Sequence, residues 1–270
     1  MDATQQHVAI VTGANHGIGA AAAEQLAARG VAVLVTYWRT RVADDNGTPE
    51  QYQQNRMRSG DEVAEGIVAA GGAAISVEAN LLDADVPAQL FDRADAAFGP
   101  VDIVVNNATG WTAGDSFAAT HLDGAGRTSA AVTAELFDQT FGVDARAGAL
   151  MIAEFSRRLI ARDGNWGRII GLTSGGPSGF PNEVSYGAAK AALVNYTMSA
   201  ATELGRHGVT ANMIHPPITD TGWVNDAVRE FAATSSEHYH VAEPADVAAV
   251  ITWLCTDEAR MVTGNVIQMR

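Results

Sequence analysis

Short apolar runs alternate with alanine-rich segments of helical length along this 270-residue chain. The first five are HVAIVTG, AAAEQLAARG, VAVLVTY, DEVAEGIVAAGG and AAISVEA, which predict strand, helix, strand, helix and strand. The strand runs are nearly continuous in Val, Ile and Leu, as is typical of strands that helices cover on both faces. Because this order needs crossover connections, it predicts a doubly wound α/β fold with a mostly parallel sheet.

The alternation continues to the end of the chain. It predicts a helix in LFDRADAAFG, a strand in VDIVVNN, a long helix over about 134–162, a strand in GRIIGLTS, a helix around SYGAAKAAL, a strand in VTANMIH, a helix in DVAAVITWLCTD and a strand near 265–269. Two polar stretches, about 40–60 and 110–129, interrupt it and are predicted to be loops or insertions. The segment 222–242 mixes aromatics and histidines and is a candidate substrate lid. No repeat or linker divides the chain, so we expect a single domain over 1–270.

Composition excludes several classes of protein. With 47% hydrophobic and 18% charged residues, the chain is that of a soluble globular protein, and no apolar run reaches the roughly 18 residues of a membrane span. The N-terminal residues lack the pattern of a signal peptide, so we expect a cytoplasmic protein. A net charge of −14 argues against nucleic acid as a partner. The single cysteine, Cys255, excludes an internal disulfide, is expected to be buried in a helix, and leads us to expect no metal site.

Two local patterns carry chemistry. Tyr186 and Lys190 lie four positions apart in a predicted helix, which puts them on one face with Cβ atoms roughly 5–6 Å apart. Alone, that spacing is most often an ordinary helix surface. Gly13, Gly17 and Gly19 lie between the first strand and the first helix, where absent side chains let a pyrophosphate approach the helix N-terminus. A turn that merely needs glycine is the alternative reading.

Together, five motifs resemble those of the short-chain dehydrogenase/reductase family. They are TGANHGIG at 12–19, VNNA at 105–108, Ser174, Y-x-x-x-K at 186–190 and HPPITDT at 215–221, in the family's order and approximate spacing over residues 7–269. The resemblance implies a Rossmann fold that binds NAD(P) and an enzyme that transfers hydride between a nicotinamide and a substrate carbon.

The resemblance also implies catalytic roles. Tyr186 exchanges a proton with the substrate oxygen, and Lys190 lowers the pKa of that phenol and binds the nicotinamide ribose. Ser174 orients the substrate oxygen; the more common family spacing points to Thr173, and both stay open, with Ser174 favoured because it ends the strand GRIIGLTS. Asp144 stands where the family has an asparagine that helps to hold a water linking the lysine to solvent.

Cofactor-binding residues are assigned by the same resemblance. They lie in the glycine loop, after the second, third and fourth strands, on the catalytic helix and in HPPITDT: Gly13, Asn15, His16, Gly17, Ile18, Gly19, Tyr37, Arg39, Asn80, Leu81, Asn106, Ala108, Tyr186, Lys190, Pro216, Ile218, Thr219 and Thr221. Thr109 and Pro217 depart from the usual glycines at their positions, and Asn80 replaces a frequent aspartate.

The end of the second strand, LVTYWRTR, decides which cofactor we expect. NAD-dependent relatives carry an acidic residue there, and this chain has none. Arg39 is predicted to pair with the 2′-phosphate of NADP, with His16 assisting. The alternative is that Arg39 and Arg41 simply open a solvated loop, in which case NAD remains possible.

Three functions are therefore open. The first is an NADP-dependent oxidoreductase that interconverts a ketone and a secondary alcohol, with Trp111, Phe180 and Trp223 as candidate pocket walls. The second is a 3-oxoacyl-thioester reductase of the acyl-carrier-protein type, which needs a basic docking patch. The third is a catalytically silent dinucleotide-binding regulator. Relatives associate through the helices that correspond to 134–162 and 185–207, so we expect a homodimer or homotetramer. The candidate docking residues are Arg157, Arg158, Arg162 and Arg168, although a distribution at helix ends that complements the dipole explains three of them equally well.

Overall fold

The computed structural model describes residues 6–40, 48–118, 127–176, 178–235 and 238–270. Within these ranges the strands are β1 (Val8–Thr12), β2 (Ala32–Tyr37), β3 (Ala74–Glu78), β4 (Ile103–Asn106), β5 (Asp115–Ser116), β6 (Ala130–Ala131), β7 (Gly167–Leu172), β8 (Val209–His215) and β9 (Val266–Gln268). Seven of them form one sheet in the order β3-β2-β1-β4-β7-β8-β9, and every pairing in it is parallel. The predicted doubly wound class is confirmed.

Helices cover both faces of this sheet. They are α1 (Gly17–Ala27), α2 (Glu50–Met57), α3 (Asp61–Ala69), α4 (Val86–Phe98), α5 (Ala134–Phe141), α6 (Gly148–Ala161), α7 (Val184–Leu204), α8 (Asp226–Thr234) and α9 (Pro244–Leu254). A π-helical segment, Gly142–Ala147, joins α5 to α6, and a 3₁₀ turn, Gly205–His207, follows α7. Among the described helices none is long and apolar enough to cross a membrane.

The core consists of two layers, one on each face of the sheet. In β1, Ala9 and Val11 pack with α1, α3 and α9, whereas Val8 and Ile10 pack with α4, α6 and α7. All four side chains are buried. Strands that are apolar on both faces explain why the sequence runs lack polar alternation.

Helix α2 corrects the prediction of a loop or flexible insertion over 40–60. Its sequence, EQYQQNRM, has no apolar stripe, so local periodicity gives no helical signal. Contacts with the rest of the chain stabilise it instead: Asn55 donates from Nδ2 to the carbonyl of Thr221 at 3.0 Å, and Tyr52 packs edge-on against Trp111. Arg41 and the other residues of 41–47 lie outside the described ranges.

The predicted long helix over 134–162 is present but contains a wider turn. Six residues, Gly142–Ala147, are π-helical, and Asp144 lies within them. Such bulges often occur at functional sites because they shift a side chain relative to a regular helix. In the region predicted as irregular, 110–129, Asp115 accepts the N–H of Ser185 at 2.8 Å and so fixes the start of α7; residues 119–126 are outside the described ranges.

Candidate active site

A cleft of about 930 Å³ opens at the carboxyl ends of the strands. It lies beside β1 and β4, the neighbouring strands at which the order of the sheet reverses. In open α/β sheets this switch point is where ligands bind. The glycine loop lines one part of the cleft, and the residues after β7 and at the start of α7 line another.

The glycine loop is packed too tightly for side chains. Gly13 and Gly17 have φ of +64° and +57°, a region that favours glycine. A Cβ on Gly13 would lie 2.8 Å from Ala108 Cα, and one on Gly17 would lie 2.8 Å from Thr221 Cγ2. The loop is therefore wedged between the segments after β4 and β8, at the N-terminus of α1, where backbone N–H groups favour an anion.

Tyr186, Lys190 and Ser174 meet on another wall of the cleft. Lys190 Nζ lies 5.5 Å from the centre of the Tyr186 ring, one turn away on α7. Ser174 follows β7 and lines the cleft with Tyr186, and its hydroxyl acts to lower the pKa of that phenol. Thr173 lies at the strand end, where its N–H donates to Ile214 O at 2.8 Å. Of the two candidate hydroxyls, that of Ser174 is the one that acts on the Tyr186 pKa.

Asp144 forms a buried ion pair with Lys190. Its Oδ1 lies 2.9 Å from Lys190 Nζ, and both side chains are buried, at 0% and 2% exposure. The contact is electrostatic, because Oδ1 has no donor in hydrogen-bond geometry among the described residues. The other oxygen, Oδ2, accepts the Gly110 N–H at 2.7 Å and the Thr109 hydroxyl at 3.2 Å. Asp144 thus lies behind the cleft, and its negative charge affects the cleft through the ion pair with Lys190.

Comparison with known proteins agrees with this geometry. Residues 13–269 match the family model described as enoyl-(acyl carrier protein) reductase. The chain is 30% identical to the uncharacterized oxidoreductase YjdA of Bacillus subtilis, over 99% of this chain and 96% of that protein. It is 31% identical to the 3-oxoacyl-(acyl-carrier-protein) reductase of Synechocystis sp., over 98% of this chain and 96% of that protein. The structure of the angucycline C-6 ketoreductase LanV with bound NADP superposes with a TM-score of 0.77, at 29% identity, over 97% of this chain and 93% of that one.

The chain belongs to the short-chain dehydrogenase/reductase family. It is an NAD(P)-dependent oxidoreductase of that family. The family match and the geometry of the cleft thus agree with the resemblance found in the sequence.

In this short-chain dehydrogenase/reductase, the pKa of Tyr186 is raised well above its ordinary value. Burial is the largest cause, followed by the charges of Asp144 and Glu183, while the hydrogen bond from Ser174 acts in the opposite direction. Burial, and after it the two carboxylates, therefore outweighs the lowering of this pKa that the family resemblance implies for Lys190. At neutral pH the phenol keeps its proton.

Aromatic side chains form the wall next to Tyr186. Trp111, Phe180 and Trp223, predicted as pocket walls, all line the cleft. Trp111 Nε1 donates to Glu183 Oε2 at 2.6 Å, and the Arg127 guanidinium lies 5.3 Å from the Trp111 ring and 2.9 Å from Glu183 Oε1. Sequence reasoning did not find Glu183 or Arg127, because nothing near them in sequence marks them as neighbours.

Most of the predicted site residues line the cleft of this enzyme. They are Gly13, Asn15, His16, Gly17, Ile18, Tyr37, Asn80, Leu81, Ala108, Ser174, Tyr186, Lys190, Pro216, Ile218, Thr219 and Thr221. The four that do not are Gly19, Arg39, Asn106 and Asp144. Gly19 instead supports the loop from behind, where a Cβ would lie 2.5 Å from Asn107 Nδ2.

Asn107, and not the predicted Asn106, lines the cleft. The Asn106 side chain is buried and directs Nδ2 toward Gly148 O at 3.4 Å, away from the cleft. Asn107 lines the cleft and donates from Nδ2 to the carbonyls of Thr12 and Gly13, both at 2.9 Å. Successive residues at a strand end point to opposite sides, so only one of the neighbours Asn106 and Asn107 can direct its side chain into the cleft.

Arg39 and His16, the residues predicted to hold a 2′-phosphate, do not present two free positive charges to the cleft. Arg39 is held by Glu78 in a two-pronged contact, at 3.0 and 2.6 Å, on the surface. Burial, with Arg56 and Arg58 contributing, lowers the pKa of His16 from 6.5 to about 4. His16 is therefore neutral at neutral pH and adds no positive charge there.

Proposed function

We propose that this enzyme uses NADPH to reduce a ketone to a secondary alcohol, and catalyses the reverse reaction at higher pH. The observation that carries the proposal is the convergence of Ser174, Tyr186 and Lys190 on the cleft, with Lys190 Nζ 5.5 Å from the Tyr186 ring and the pKa of the phenol raised by burial. A carbonyl that gains hydride at carbon needs a proton at oxygen, and this phenol is a donor in position.

The residues of the cleft fit a dinucleotide. A tight glycine loop at the N-terminus of α1 suits a pyrophosphate, since any Cβ at Gly13 or Gly17 would collide with neighbouring loops. The end of β2 carries Tyr37 and Trp38 in place of a carboxylate, which removes the group that would repel a 2′-phosphate. The relative LanV was solved with NADP bound, which supports the same choice of cofactor. When bound, the cofactor supplies the hydride.

The protein's own groups then have separate tasks. The Ser174 hydroxyl and Tyr186 Oη hold the substrate oxygen, so the carbonyl carbon is oriented before reaction. As negative charge develops on that oxygen, Tyr186 Oη gives up its proton and Lys190 stabilises the phenolate that remains. The aromatic wall around Trp111 excludes water and favours substrates with an apolar body.

The test is consumption of NADPH, followed by absorbance, with a panel of ketones and acyl thioesters. We expect turnover of at least one ketone with NADPH and a lower kcat/KM with NADH. Tyr186→Phe serves as the inactive control. Tight NADPH binding without turnover of any carbonyl compound would favour the silent regulator instead.

A 3-oxoacyl-thioester reductase is the second candidate, and the relative from Synechocystis supports it. The four arginines considered for docking a carrier argue against it. Each has a carboxylate partner: Arg157 pairs with Glu154, Arg158 with Asp92, Asp95 and Glu154, Arg162 with Asp102 and Arg168 with Asp257. A comparison of one 3-oxoacyl group on a carrier protein and on a short thiol separates the two functions, because only a carrier reductase gains from the carrier.

We also infer that the enzyme is a cytoplasmic homo-oligomer that associates through α5, α6 and α7. These helices leave Phe137, Ile160 and Tyr196 45–48% exposed, which is an uncommon choice of side chain for a free surface. Light scattering at micromolar concentration should give a dimer or tetramer, and Tyr196→Glu should reduce its size. A monomer in both proteins would contradict this.

A further inference from the structure

Arg56 is a buried cation at the cleft, and none of the carboxylates in the described ranges pairs with it. It lies on α2, is 5% exposed and lines the cleft. Its Nη1 donates to the main-chain carbonyl of Trp111 at 2.5 Å. Among the described residues no carboxylate lies within ion-pair distance of it, whereas Arg158 alone has three. A buried charge without a counter-ion is costly, so a ligand anion at this position would stabilise it.

Helix α2 holds this guanidinium across the switch point of the sheet. Asn15 in the glycine loop donates from Nδ2 to the carbonyls of Arg56 and Arg58, at 3.3 and 3.0 Å. At the other end of the side chain is Trp111, in the segment that follows β4. Arg56 therefore spans from the loop after β1 to the loop after β4, above the crevice between these strands.

The charge of Arg56 acts on the residue that precedes α1. It is among the causes that lower the pKa of His16, the N-cap residue of that helix. The guanidinium and the helix N-terminus thus act on the same volume, and both favour an anion there. Arg58 also contributes to lowering the pKa of His16, but its guanidinium is exposed and pairs with Glu62 at 2.5 Å.

We propose that Arg56 binds a pyrophosphate oxygen of the dinucleotide, opposite the glycine loop, so that α2 closes over the cofactor. This inference rests on the proposed function. The pyrophosphate is preferred to the 2′-phosphate because Arg56 reaches toward Trp111 and the catalytic wall, while the end of β2 lies by Tyr37 and Arg39. A guanidinium forms a two-pronged contact with phosphate. Such a contact would explain the position of α2, which has no apolar stripe to bury.

The experiment is calorimetric titration of NADPH, NADH, ADP-ribose and 2′,5′-ADP into the full chain and two variants. In Arg56→Gln we expect affinity for the three pyrophosphate ligands to fall about 10- to 100-fold, the scale of charge-assisted hydrogen bonds. Affinity for 2′,5′-ADP should change less than 3-fold. The matched control is Arg58→Gln, which removes an equal charge from the same segment and should change every affinity less than 3-fold.

Each other outcome overturns the proposal. Loss confined to NADPH and 2′,5′-ADP would assign Arg56 to the 2′-phosphate. Unchanged affinities with a raised KM for a carboxylate-bearing ketone would assign it to the substrate. If Arg56→Gln does not fold by circular dichroism, Arg56→Met, which keeps the buried stem, is titrated in its place with the same expectations. Absence of dinucleotide binding by the parent protein would refute the proposed function itself.

Discussion

Replacing Asp144 by Asn tests the electrostatics of the catalytic wall. The substitution keeps an acceptor for the Gly110 N–H and removes the charge that lies 2.9 Å from Lys190 Nζ. Asp144 raises the pKa of Tyr186, so its removal lowers that pKa. The phenolate that alcohol oxidation needs then forms at lower pH, and we expect the oxidation profile to move toward acid.

The distances set the size of the effect. With an effective dielectric constant of about 20, Lys190 Nζ and a negative charge at the Tyr186 ring, 5.5 Å apart, interact by about 3 kcal/mol. Asp144 lies 2.9 Å from that ammonium, so it repels a phenolate from nearly the same position and cancels much of the lysine's attraction. Restoring part of the attraction between Lys190 and the phenolate should move the pH–rate profile for oxidation by roughly one to two pH units, since about 1.4 kcal/mol corresponds to one pKa unit.

The assay is kcat/KM for both directions as a function of pH. Asp102→Asn is the matched control, because Asp102 is a buried carboxylate paired with Arg162 and His7 and is not one of the main groups that shift the pKa of Tyr186. Both variants should lose stability toward urea, Asp144→Asn by about 3–5 kcal/mol as for other broken buried pairs. The profile should move only for Asp144→Asn. Superimposable profiles, or movement toward alkali, would refute the reasoning.

Three further predictions follow from single residues. Tyr186→Phe should lower kcat by about 10²- to 10⁴-fold while NADPH affinity, measured by fluorescence, stays within a few-fold, because only the transferable proton is lost; most activity retained would remove Tyr186 from the acid–base role. Arg39→Ala should weaken NADPH binding about 10-fold and leave NADH binding unchanged, and Glu78→Gln, which releases Arg39, should tighten NADPH binding; equal effects on both cofactors would contradict the contact with a 2′-phosphate. Folding lowers the pKa of His16 from 6.5 to about 4, so the unfolded chain takes up the proton first as pH falls. The parent protein should therefore lose about 3 kcal/mol more unfolding free energy than His16→Gln between pH 6.5 and 4. Equal losses for the two proteins in urea titrations would show that His16 is not the cause.

Features that depend on local periodicity could be predicted from the sequence. The strands around β1 and β4 and the helix that carries Tyr186 and Lys190 follow from apolar runs and a four-residue spacing. The glycine loop is also local, because three glycines between a strand and a helix specify a turn with room for a ligand. The carboxyl ends of parallel strands meet at one edge, so these parts come together once the sheet forms.

Other features depend on contacts between distant segments. Helix α2 has no apolar stripe, and the interactions of Tyr52, Asn55 and Arg56 with residues more than 50 positions away give no local signal. The pairing of Arg39 with Glu78 joins the ends of two adjacent strands, β2 and β3, across 39 positions. The sequence suggests that Arg39 is a free cation, whereas in the structure the Glu78 carboxylate neutralises it.

The ion pair between Asp144 and Lys190 bears on the direction of the reaction. Burial, and next the charge of Asp144 beside Lys190, raises the pKa of Tyr186 and keeps the phenol protonated, which is the form that reduction of a carbonyl consumes. Oxidation of an alcohol needs the phenolate, and the same carboxylate makes that form costly. An asparagine at this position would leave the lysine free to stabilise the phenolate. The aspartate therefore raises the pH at which the favoured direction changes from reduction to oxidation, and Asp144→Asn should move the crossover of the two profiles toward neutral pH.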